Sequence, residues 1–124
     1  MSNLQCPVTM ILVPPGDDAV GLAGRLRDER ISTIWCDSHP AAVQTAQAVA
    51  GELGGPAVRV LAAGAEALEA LADEFRGETL LGIVPGPVLA ELLDQLFPAA
   101  GHRVAISAET CRLSYDGEAW TIRP

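Results

Sequence analysis

Apolar residues recur along this chain in short blocks separated by longer amphipathic stretches. Thr9 to Val13 is dense in aliphatic side chains and stops at Pro14-Pro15-Gly16. A short apolar run bounded by proline and glycine reads as a buried strand. Asp18 to Asp28 then reads as a helix, with Asp17 or Asp18 as N-cap. Its inward face is expected to be Val20, Ala23 and either Leu22 or Leu26. Arg25 and Arg27 sit near its end, where cations complement the helix dipole.

The alternation continues. Ile31 to Cys36 is a second strand, ending in Cys36-Asp37-Ser38-His39. Pro40 opens a helix in which Ala42, Ala46, Val49 and Leu53 form one apolar face, and Gly54-Gly55-Pro56 closes it. Val58 to Leu61 is a third strand, and Ala65 to Phe75 a helix with Leu68, Leu71, Ala72 and Phe75 inward. Thr79 to Val84 is a fourth strand whose nearly continuous apolarity predicts burial on both faces. After Pro85-Gly86-Pro87 comes a helix with Val88, Leu89, Leu92, Leu93 and Leu96 inward, ending near Phe97-Pro98. Arg103 to Ile106 is a predicted fifth strand. Cys111 to Tyr115 and Ala119 to Ile122, joined through Asp116-Gly117, read as a β-hairpin.

This order predicts an α/β fold: a three-layer α/β/α sandwich with a mainly parallel central sheet, right-handed crossovers and a C-terminal β-hairpin. At 124 residues the chain reads as a single domain over 1–124, long enough to bury a core without metals or disulfides. In such sheets ligands bind outside the carboxyl ends of the strands. The stretch from Met10 to Gly16 should therefore lead into any site, yet two prolines stand where anion-binding groups are expected.

Composition narrows the classes. Sixteen acidic residues against eight arginines and no lysine give a net charge of −8. The arginines are scattered, which argues against nucleic acid, and the absence of lysine excludes a lysine Schiff base. No apolar run is long enough for a membrane span, and no leader pattern opens the chain, so a cytoplasmic location is expected. Cys6, Cys36 and Cys111 are isolated and unlike a zinc or disulfide framework.

The motif order resembles the histidine phosphatase superfamily, the phosphoglycerate-mutase-like fold, from Ile11 to Ile122. In that family strand one ends in Leu-Val-Arg-His-Gly, against Leu12-Val13-Pro14-Pro15-Gly16 here. A Ser-Pro…Arg-Ala…Gln/Glu-Thr-Ala helix follows strand two, against Ala41-Ala42-Val43-Gln44-Thr45-Ala46 here. The fourth strand usually ends in Val-Ser-His-Gly, against Ile83-Val84-Pro85-Gly86 here, and the closing hairpin with its Trp120 is similar too. The resemblance implies that the phosphorylated His, the two phosphate-binding Arg and the second His correspond to Pro15, Pro14, Ala41 and Pro85. None of these can act as nucleophile, carry charge or donate a side-chain hydrogen bond. The family's acid/base carboxylate comes from an insertion after the third strand, and the link from Leu61 to Ala65 is too short for one; Glu66 is the nearest carboxylate and reads as the start of a helix.

Elementary chemistry points the same way. A phosphate site at a helix start needs exposed N–H groups and positive charge. Pro14, Pro15, Pro85 and Pro87 each remove a backbone donor. Asp17, Asp18 and Asp37 add negative charge, each contact costing an anion roughly 1 kcal/mol near a surface.

Cys36, Asp37 and His39 have two readings: a thiolate–imidazole or metal cluster, or a buried Cys before a polar turn in which Asp37 or Ser38 caps the next helix. The second is the expectation. Asp17, Asp18 and Asp37 could hold a cation, but capping accounts for them, and His102 reads as solvated. Trp35, opposite in direction to Ile34, is a core residue or an interaction surface, and the same holds for Trp120.

The expected function is a catalytically inactive, histidine-phosphatase-like binding, regulatory or assembly module, with no catalytic residues, cofactor or metal. Its partner would be a protein or a second copy of the chain, with no nucleic acid and no membrane. The alternative is a small-molecule-binding protein or repurposed enzyme using the crevice at the ends of strands one and four. Cleft-lining candidates are Gly16, Asp17, Asp37, Ser38, His39, Gln44 and Gly86.

Overall fold

The first strand, β1 (Val8–Val13), shows why the chain forms layers. Val8, Met10 and Leu12 lie in one core cluster while Ile11 and Val13 lie in another, as the two-residue period of a strand requires. In the computed structural model, which describes residues 7–16, 18–62, 64–97 and 111–123, the remaining elements alternate as expected. They are α1 (Ala19–Leu26), β2 (Ile31–Cys36), α2 (Pro40–Leu53), β3 (Ala57–Val60), α3 (Ala65–Glu74), β4 (Thr79–Ile83), α4 (Gly86–Leu96), β5 (Cys111–Tyr115) and β6 (Trp120–Arg123).

The strands form one six-stranded sheet in the order β3-β2-β4-β1-β5-β6. β3, β2, β4 and β1 run parallel, β5 is antiparallel to β1, and β6 is antiparallel to β5. Helices α1 and α2 cover one face, over Ile11, Ile34, Leu81 and Ile83. Helices α3 and α4 cover the other, over Met10, Leu12, Trp35 and Leu80. The fold is thus the expected α/β/α sandwich with a mainly parallel sheet and a C-terminal hairpin. The predicted strand over Arg103 to Ile106, together with His102, lies outside the described residues.

Trp35 resolves to its core reading. It is fully buried, on the face opposite Ile34. Its register partner on β4 is Gly82, which in turn pairs with Leu12 on β1. A methyl group on Gly82 would overlap the Trp35 ring and the Leu12 side chain. Glycine here clears the space the indole occupies beside the neighbouring strand.

Several local expectations are corrected. Val20 is 65% exposed, and the buried stripe of α1 is Leu22, Ala23 and Leu26. The helix begins at Ala19, so its core positions fall at the i, i+1 and i+4 spacing and leave Val20 on the wet side. It also ends at Leu26 and tightens into a 3₁₀ turn over 27–29, closed by Arg30 at φ 57°. Phe75, Val88, Leu96 and Leu53 are only partly buried, because each lies at the margin of its helix's covered face. Strand β4 ends at Ile83, although the Val84 N–H still reaches the Val13 carbonyl at 3.1 Å; Pro85 has no N–H to carry the ladder further. Asp116 organises the hairpin, its Oδ1 accepting from the N–H groups of Glu118 and Ala119 at 2.9 Å each, with Gly117 at φ 103°.

One ion pair ties the α1 face to the antiparallel edge. Arg112 on β5 donates two hydrogen bonds to the Glu29 carboxylate, at 2.9 and 2.8 Å, with both side chains 31% exposed. The hydrogen bonds from Arg112 hold the Glu29 carboxyl below its ordinary range; burial opposes them in part, and the charge of Arg112 adds a smaller lowering. A carboxyl depressed in the folded state stabilises the fold above its unfolded pKa, and that contribution disappears as pH falls through the folded value.

Two predictions follow from this packing. Gly82→Ala is expected to destabilise the fold by about 1–3 kcal/mol or more, as overpacking does, read as a lowered urea midpoint. Glu29→Gln is expected to lower the thermal midpoint at about pH 7, with the gap from wild type closing toward about pH 3 as the wild-type carboxyl protonates. A gap independent of pH would contradict the ion-pair account.

Candidate functional site

The carboxyl ends of β1 and β4 lie side by side, with Val13 opposite Ile83. From there the chain leaves β1 toward the α1/α2 face and leaves β4 toward the α3/α4 face. Adjacent strands whose connections part to opposite faces create the crevice in which open α/β folds place ligands. Pro14 and Pro15 follow β1 directly, and Pro85 is the N-cap of α4. Ala41 stands in the first turn of α2.

The backbone donors at this edge are few, and several are already used. Pro40 has no N–H. The Ala41 N–H is bound by His39 Nδ1 at 3.2 Å, and that of Val43 by the His39 carbonyl at 3.0 Å. The Gly16 N–H reaches Thr45 Oγ1 at 3.3 Å. On α4, Pro85 and Pro87 have no N–H, and the Leu89 N–H is bound by the Pro85 carbonyl at 2.9 Å.

His39 is the N-cap of α2, where Asp37 or Ser38 was expected. Its extended backbone, φ −63° and ψ 131°, places the imidazole over the first turn. Asp37 Oδ1 accepts from the His39 N–H at 3.1 Å and so closes the turn before the cap. Cys36 points away from both, fully buried in the cluster beneath α1 and α2. Burial, followed by the charge of Asp37, raises its thiol pKa and keeps it protonated. No thiolate–imidazole pair forms. Asp18 caps α1, its Oδ1 accepting from the Gly21 N–H at 2.9 Å. Asp17 lies outside the described residues. Among the described residues no three His, Cys, Asp or Glu side chains converge as metal ligands.

What the structure brings together is a recess of about 330 Å³ beside the crevice, between the loop after β1 and the start of α2. Its walls are Pro15, Gly16, Ala19, Ala41, Gln44, Thr45 and Ala48. Of the sequence candidates it therefore gathers Pro15, Gly16, Ala41 and Gln44. Pro14, Asp37, Ser38, His39, Pro85 and Gly86 are not among its walls.

Thr45 is the residue that sequence reasoning passed over. Its hydroxyl reaches the Ala41 carbonyl at 2.8 Å and accepts from Gly16, joining α2 to the loop after β1. A signal was available: Ala42, Thr45, Ala46 and Val49 recur at the i, i+3, i+4 and i+7 positions, so a polar side chain occupies the buried stripe.

No protein-family model matches the chain, and no curated protein matches it in sequence. Solved structures do match in fold. A phosphoglycerate mutase from Bacillus anthracis aligns with a TM-score of 0.78 at 11% identity, over 99% of this chain and 94% of its own. A mutant phosphoserine phosphatase from Entamoeba histolytica, in complex with phosphoserine, aligns at 0.75 and 10%, over 94% and 95%. A phosphoglycerate mutase from Plasmodium falciparum aligns at 0.71 and 17%, over 96% and 90%.

Thr45→Val is expected to lower stability by about 1 kcal/mol by leaving the Gly16 N–H without its acceptor, whereas Thr45→Ser retains most of it. Urea denaturation of the two variants beside wild type measures the difference; a loss in Thr45→Ser with none in Thr45→Val would assign the effect to the methyl group instead.

Proposed function

We propose that this chain, which has the phosphoglycerate-mutase-like fold, is a catalytically silent binding module. The observation that carries this reading is the state of the crevice. Proline and alanine stand at the positions implied for the reactive and phosphate-binding side chains, and several of the neighbouring backbone donors are missing or already bonded within the protein.

Phosphoryl transfer needs a nucleophile and preorganised donors for the developing charge. Pro14, Pro15, Ala41 and Pro85 supply neither. The described carboxylates nearest in sequence to the crevice, Asp18 and Asp37, serve as cap and turn residue, and their charge opposes a bound anion. What remains is shape without reactive groups. A protein, or a second copy of the chain, is one class of partner. The recess at Gly16 and Thr45 favours a second reading, a small molecule, because its described walls are small apolar side chains with the neutral polar groups of Gln44 and Thr45 among them.

An aryl phosphate assay on protein freed of host phosphatases is expected to show no turnover above buffer from mildly acidic to mildly alkaline pH. Turnover abolished by Asp37→Ala or by a substitution at Thr45 would overturn the proposal.

A further inference from the structure

We propose that the outer edge of β3 joins two copies of the chain as a symmetric dimer, the sheet of one continuing into the other across Val60. This surface lies apart from the crevice, so the inference goes beyond the non-catalytic reading and does not depend on it.

Backbone direction is the first ground. β3 is the end strand of the sheet and is paired to β2. The Leu61 N–H donates to the Cys36 carbonyl at 2.9 Å. Alternate residues of a strand turn their backbone groups to opposite edges. Ala57, Arg59 and Leu61 therefore address β2, while Val58 and Val60 present N–H and C=O outward. Such an edge is a template for another strand unless it is blunted, often by a charge. The charge on β3 is Arg59, and it is drawn to Glu74 at 2.9 Å and over the Phe75 ring. Val60 is left 54% exposed.

The second ground is the flank of this edge. Helix α2 packs on β2 and β3. The side of α2 that meets the loop after β1 carries Thr45 and Ala48. Val43 and Ala50, at i and i+7, stand on the opposite side of the helix, over β3. With Val58 they are only partly buried against the core. An apolar margin thus runs beside Val60, in a chain where 19% of residues are charged.

Length and symmetry select the occupant. β3 has four residues, so a foreign peptide paired to it covers far less than the roughly 1,200 Å² of a stable interface. A second copy brings its own α2 margin and buries both. An antiparallel edge is also self-complementary about a two-fold axis. Outward residues must pair with outward residues, which places that axis at Arg59 or at Val60. An axis at Arg59 sets like charges directly opposite, which is unfavourable. An axis at Val60 sets Val60 against Val60 of the second copy and Arg59 against Leu61 of the second copy, and it buries the exposed valine.

Sedimentation velocity on the intact chain, from about 10 μM to about 1 mM, is expected to show monomer passing to dimer. Over the same range the Val58 and Val60 amides are expected to exchange hydrogen more slowly, while Leu61, already bonded to β2, is unchanged. Val60→Lys puts like charges on the axis and is expected to weaken the dimer by about tenfold or more, with the thermal midpoint of the dilute protein retained. Val20→Lys, at a 65% exposed valine on α1, is expected to leave association unchanged. The proposal is overturned by a monomer at every concentration, by a dimer that survives Val60→Lys, or by equal loss in Val20→Lys. Exchange at Val58 and Val60 that ignores concentration overturns it as well, and that measurement needs no variant to fold.

Discussion

The packing of Trp35 across Gly82 onto Leu12 is the constraint on which the rest of the sheet depends. The indole stands on β2, and the missing side chain on β4 lets it lie beside the neighbouring strand. β4 can therefore sit between β2 and β1 although it comes later in the chain than either. That insertion sets the carboxyl ends of β1 and β4 side by side and sends their following segments to opposite faces. Without it there is no crevice at the strand ends. The Trp35 Nε1 is buried with no hydrogen-bond partner among the described residues, and burial of the large ring is the main gain of the arrangement.

The site is then shaped by subtraction. An edge of an α/β sheet is a natural anion site when helix N-termini present free N–H groups. Here prolines remove some of those donors, and the His39 imidazole, the His39 carbonyl and the Thr45 hydroxyl hold others. The same hydrogen bonds that take donors from a ligand stabilise the loop after β1 and the start of α2. Thr45 in particular fixes how that loop meets the helix, and the recess is the gap left by the small side chains around the contact. Fewer backbone donors are therefore left at this edge for an anion than at a helix start without prolines.

The sheet edges and the helix ends are held by different means. The Arg112 and Glu29 pair anchors the hairpin to the far end of α1, on the face away from the α3 and α4 core. On the other face, Tyr115 and Trp120 stack with centroids 4.6 Å apart, and the Tyr115 hydroxyl donates to the Gly117 carbonyl at 3.2 Å. The antiparallel edge is thus fastened on both faces of the sheet.

Much of this fold was legible in the sequence, because strand and helix periods are local properties of the chain. The runs ending at Val13, Cys36 and Ile83, the stripe from Ala42 to Val49, and the Asp116-Gly117 turn each carry their own signal. So did the absence of reactive groups at Pro14, Pro15, Ala41 and Pro85, since no packing can give a proline a nucleophile. Other features depended on contacts between distant segments. Val20 against Leu22 was decided by where α1 begins and how it meets α2. His39 became the cap because the turn closed by Asp37 delivers its ring to the Ala41 N–H. The recess exists only because Thr45 draws the loop at Gly16 to α2 across 29 residues of sequence. By itself the sequence determined which elements form and that proline and alanine stand at the strand ends; tertiary structure decided where the remaining space lies, because a cavity belongs to no single segment and is defined by how segments fail to fill the volume between them.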